Sequence, residues 1–98
     1  MNTAKNQPAR RNGQTFRYLC RALELASAGE KVFYHSTRHD TAHYYFTRAA
    51  DMAESYAQMI NGGGMTISFA GGGFVRFLGP KRDAETRGYP NARNIQDD

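Results

Sequence analysis

The sequence predicts an α/β domain: a small sheet that includes a glycine-turn hairpin, covered by two helices. Three observations carry this. Residues 14–28 and 41–60 repeat apolar side chains at helical spacing. Residues 65–78 alternate apolar and polar side chains around a run of glycines, and 31–35 is a short aromatic and β-branched run. A chain of 98 residues has room for one domain. A domain of this size buries about 60–65% of the surface its unfolded chain exposes.

Each element has its own signal. Residues 1–13, "MNTAKNQPARRNG", hold no large apolar side chain except Met1, and read as a mobile basic arm ahead of a single domain over 14–98. In "QTFRYLCRALELASA", Phe16, Leu19, Cys20, Leu23 and Ala26 form one stripe, with Thr15 as N-cap and Gly29 as C-cap. Cys20 in that stripe is expected to be a buried small hydrophobe. "KVFYH", 31–35, predicts a buried strand. Asp40 is the expected N-cap of the second helix, which turns Ala42, Tyr45, Phe46, Ala49, Ala53, Tyr56 and Ile60 inward and leaves Tyr44 outside. Glycines 62–64 end it. Met65, Ile67 and Phe69, then Val75 and Phe77, form a hairpin about glycines 71–73. Residues 79–92 are a polar loop, and "RNIQDD" offers a final strand on Ile95.

Composition bounds the function. An apolar content of 40% with 12% aromatics supplies a core and argues against global disorder. Cys20 is the only cysteine, so no internal disulfide forms, as suits a reducing compartment. No run of eighteen apolar residues and no signal-type apolar segment occurs, so a cytoplasmic protein that does not enter a membrane is expected. The net charge of +4 favours acidic partners. A sheet this small has open edges, and a homodimer across one of them is expected.

The order of short motifs suggests an ancestry. "GQT" at 13–15, "KVFYHSTR" at 31–38, "GMTISFAGGGFVRFLG" at 64–79, "RGY" at 87–89 and "IQDD" at 95–98 follow one another as helix, strand, helix, hairpin, loop and acidic strand end. This order resembles the front part of phage terminase large-subunit and helicase-like ATPases, over residues 13–98. The resemblance implies a truncated P-loop NTPase-like fold, with Gly13, Gln14 and Thr15 at the nucleotide, Asp97 at the Mg²⁺-binding aspartate and Asp98 at the catalytic glutamate. The departures are severe. Gln14 replaces the lysine that reaches the β- and γ-phosphates, and Pro8 stands at the first loop glycine with no N–H to offer. No apolar strand precedes the loop, and nothing after Asp98 supplies a coupling motif. No catalytic residue and no cofactor are therefore assigned. The expectation is a non-catalytic binding or regulatory protein, phage-encoded, that engages a host protein or a nucleic-acid machine.

Other constellations compete with it. Arg10, Arg11, Arg38, Arg76, Lys81, Arg82 and Arg87 form a candidate cationic surface for a phosphate backbone or a protein partner, which makes a nucleic-acid-binding module the alternative. His39 and His43 sit at i, i+4, the spacing of a helical zinc pair, with His35 the only further histidine. A residual nucleotide-binding or metal-dependent enzyme is the third class. The histidines read more simply as polar residues of a first helical turn.

Overall fold

A computed structural model describes residues 3–80 and 88–96, with side chains from Gly13 onward. The elements run α1 (Thr3–Ser27), β1 (Lys31–His35), α2 (His39–Ala53), β2 (Met59–Asn61), β3 (Thr66–Ser68), β4 (Phe74–Leu78) and β5 (Arg93–Gln96). The sheet order is β2-β3-β4-β1-β5. β1 lies parallel to both β4 and β5, and the β2–β3 and β3–β4 pairs are antiparallel. The fold is thus α/β, as expected, and its five-stranded sheet is mixed.

Helix α1 begins at Thr3 and crosses the boundary expected between arm and domain. Apolar periodicity gave no sign of this, but Ala4, Lys5, Gln7, Ala9, Arg10 and Arg11 are good helix formers. The buried stripe is Thr15, Leu19, Ala22, Leu23 and Ala26. It is rotated from the expected one. Phe16 is 49% exposed and Cys20 lies on the surface, so neither belongs to the core. Small Ala22 joins the expected Ala26 in the buried seam, in place of the bulkier Phe16. The helix ends as expected at Gly29, whose φ of 104° is left-handed. Gly29 N donates to Ala26 O and Glu30 N to Leu25 O, both at 3.0 Å, which is a Schellman closure.

Helix α2 buries Ala42, Tyr45, Phe46, Ala49 and Ala53, and Tyr44 faces outward. It stops at Ala53, short of the expected end near 60. Ile60 fits the helical phase, but it also fits a strand phase, where it pairs with Ile67. Pairing with β3 wins, because glycines 62–64 let the chain reverse at once. Its N-cap is Arg38, without a side-chain cap hydrogen bond, and Asp40 sits inside the first turn instead.

The expected hairpin is β3–β4, closed by Phe69 N to Gly73 O at 2.9 Å. Gly73 is required by close approach: a Cβ there would collide with Ala26 O and come within 2.7 Å of Glu30 O, at the end of α1. Val32, Tyr34, Ile67, Val75 and Phe77 share one face of the sheet and pack with both helices into a single core. Rings knit it together: Tyr34 to Phe77 at 5.1 Å, Tyr34 to Tyr45 at 5.5 Å and Phe46 to Phe77 at 6.0 Å. Each such pair adds about 0.5–1.5 kcal/mol beyond burial. Among the described residues the opposite face carries no helix.

Candidate functional site

That helix-free face follows from strand alternation, since the residues between the core positions must point the other way. The strand registers arrange it in rows. Met59, Ser68, Phe74 and Lys31 form one. Asn61, Thr66, Arg76, Phe33 and Asn94 form the next, and Leu78, His35 and Gln96 the third. These rows hold Arg76, Lys31 and His35 among neutral polar groups, rings, Met59 and Leu78, and no carboxylate.

Arg76 stands at the centre. Its guanidinium lies 5.7 Å from the Phe74 ring centroid, within cation–π range. Its Nε donates to Thr66 Oγ1 at 3.1 Å, and that hydroxyl donates to Gly64 O at 2.9 Å. The arginine is thereby held upright on the sheet while remaining partly exposed. Beside it Phe33, Phe74 and Tyr89 meet edge to face, with centroids 5.6–5.9 Å apart. Tyr89 belongs to the β4–β5 connection, so that connection reaches this face. A depression of about 320 Å³ opens between Lys31 and Tyr89. Glu30 at its rim faces Arg93, 3.8 Å away.

The carboxyl ends of the three parallel strands adjoin the start of α2. His35 Nε2 lies 2.8 Å from Asn94 Oδ1, and Gln96 Nε2 donates to His35 O at 3.3 Å, so His35 is tied to β5. Ser36 N donates to Leu78 O at 2.9 Å, while the buried Ser36 Oγ has no hydrogen-bond partner among the described residues. Arg38 clasps Asp40 with two bonds, at 2.9 and 3.0 Å. The hydrogen bonds from Arg38 hold the Asp40 carboxyl down to about 2, and the guanidinium is raised in turn. Arg38 is thus ion-paired with Asp40 at the start of α2.

The other expected positions divide plainly. Gly13, Gln14 and Thr15 lie inside α1, not in a loop. A phosphate loop must precede its helix so that unpaired N–H groups face the anion, whereas these residues sit within the continuous helix. Thr15 is buried against the core, so its N-cap role is also overturned. Arg10 and Arg11 are on the backbone of α1, with their side chains outside the described residues, as are Lys81, Arg82, Arg87, Asp97 and Asp98. His39 and His43 are exposed in the first turn of α2. Among the described residues no group of three or more His, Cys, Asp or Glu is placed to hold a metal ion, and no helix is long and apolar enough to cross a membrane.

Lys31 and the Phe33–Phe74–Tyr89 cluster were missed in the sequence. The alternation in 31–35 and 74–78 could have revealed which residues share the second face, had the parallel β1–β4 register been known. Compared with known proteins, the chain matches no family model, no curated protein and no solved structure.

Proposed function

We propose that this protein is a non-catalytic binding protein whose helix-free sheet face takes a single-stranded nucleic acid. The observation that carries the reading is Arg76, seated over Phe74 and held by Thr66 amid strand rows that, among the described residues, hold no carboxylate. A phosphate backbone is drawn by Arg76 and Lys31, and the amide nitrogens of Asn61 and Asn94 offer donors to base edges. Single-stranded binders combine this kind of charge with accessible aromatic rings, a part open here to half-buried Phe74 and Tyr89 and not to Phe33, which is fully buried. The net charge of +4 supports the same partner class.

A second reading is regulatory binding of a protein. It is favoured by the outer side of α1, where exposed Phe16 and Cys20 lie between Arg17, Arg21 and Glu24 along a shallow groove. The phage-type, ATPase-derived ancestry belongs with this reading.

Fluorescence anisotropy with labelled single-stranded DNA and RNA oligonucleotides tests the first. Affinity should fall as salt rises. Lys31→Ala and Arg76→Ala should each weaken binding and lower the salt slope by about 1, while Arg17→Ala leaves it unchanged. Absence of binding at low salt, or binding indifferent to both face variants, would overturn the assignment.

A further inference from the structure

We infer that β2 is a self-association edge, through which a second copy of this chain extends the sheet. β2 is the last strand on its side of the sheet, so its outer backbone groups have no strand partner among the described residues. Of the five exposed large hydrophobic residues there, three cluster at this edge: Met59 at 61%, Tyr56 at 52% and Ile60 at 39% exposure. Tyr56 stacks on Phe69 at 5.7 Å, so the patch is anchored to the core. The opposite edge, β5, is built differently, with exposed Arg93, Asn94 and Gln96. Charged and polar side chains are a common guard against edge pairing. β2, with Met59 and Ile60 exposed, lacks that guard.

Charge selects the occupant. From Ala49 to Val75 the chain holds no lysine, arginine or histidine, and only Asp51 and Glu54 are acidic. In a protein of net charge +4, this is a stretch where two copies can meet without bringing cations together. A polyanion finds nothing to hold here. A twofold axis also needs one self-complementary patch. Antiparallel pairing about Ile60 sets the two Ile60 side chains side by side, because directly opposed residues share a face. Each is flanked by Tyr56 on the helix-bearing side, and Met59 contributes on the other side. Both helix-free faces then lie on the same side of the doubled sheet.

Sedimentation velocity on the full chain over a wide concentration range tests this. The expected result is a monomer that converts to a dimer as concentration rises. Ile60→Lys and, separately, Met59→Lys should each shift the midpoint at least tenfold higher, with unchanged circular dichroism. Either variant retaining its fold is sufficient, since the two side chains lie on opposite faces of one strand. A monomer at every soluble concentration overturns the inference. So does a dimer that survives both variants, or assembly into species larger than a dimer. The result does not depend on nucleic-acid binding, which is read on Lys31 and Arg76.

Discussion

Ser36 shows how one side chain can be set against its surroundings. Its amide is well satisfied by Leu78 O, but its hydroxyl is buried with no partner among the described residues. A buried unsatisfied hydroxyl costs about 1–3 kcal/mol, and removing it with little change of shape recovers part of that. Ser36→Ala is therefore expected to raise stability by about 1 kcal/mol, read as a higher urea midpoint at constant slope. A lower midpoint would mean that the hydroxyl is engaged in solution. The Arg38–Asp40 pair nearby behaves differently. Asp40 has its carboxyl lowered to about 2, so its contribution is complete above the ordinary carboxylate range and is lost as pH falls through that value. The pair is fully open to solvent, where such bonds organise a turn more than they stabilise a fold.

Elements were legible in proportion to how local their causes are. The β3–β4 hairpin and the Gly29 cap depend on neighbours in sequence, and both formed where expected. The end of α2 depends on β3, which offers Ile60 a partner, so it could not be read from helical phase alone. The buried stripe of α1 depends on which side chains fit against the sheet: Leu19, Leu23 and Ala26 are buried as expected, while Thr15 and Ala22 are buried in place of Phe16 and Cys20. The helix-free face needs the β1–β4 and β1–β5 registers, which no local pattern contains. α1 also bears on the suggested ancestry. Gly13, Gln14 and Thr15 are interior to it, and a lysine at 14 gains no loop of amides to work with. Gln14→Lys is expected to leave ATP binding undetectable by calorimetry with Mg²⁺ present, while circular dichroism stays unchanged. Micromolar binding by that variant would show that residues 13–15 leave the helix to form a phosphate loop.

At the scale of the whole molecule, the cations of the helix-free face and the apolar groups of the β2 edge occupy different parts of the surface. Arg76 and Lys31 stand on the helix-free face, whereas Tyr56, Met59 and Ile60 crowd the β2 edge, in a stretch without a single basic side chain. Salt acts on these surfaces in opposite directions. Nucleic-acid binding rests on displaced counterions, so its affinity falls steeply with ionic strength. Self-association through the β2 edge rests on apolar burial, and salt screens the mutual repulsion of two chains of net charge +4. Raising salt from about 50 to 500 mM should thus weaken oligonucleotide binding by at least tenfold and leave the dimer as strong or stronger. The two are measured side by side, by anisotropy and by sedimentation. The dimer in turn places two cationic faces on one side of a doubled sheet, so an oligonucleotide long enough to span both should bind more tightly than a short one at low salt. Ile60→Lys should abolish that length advantage while sparing the short oligonucleotide. If both affinities fall together with salt, the dimer contact is electrostatic and the β2 edge is not where it lies.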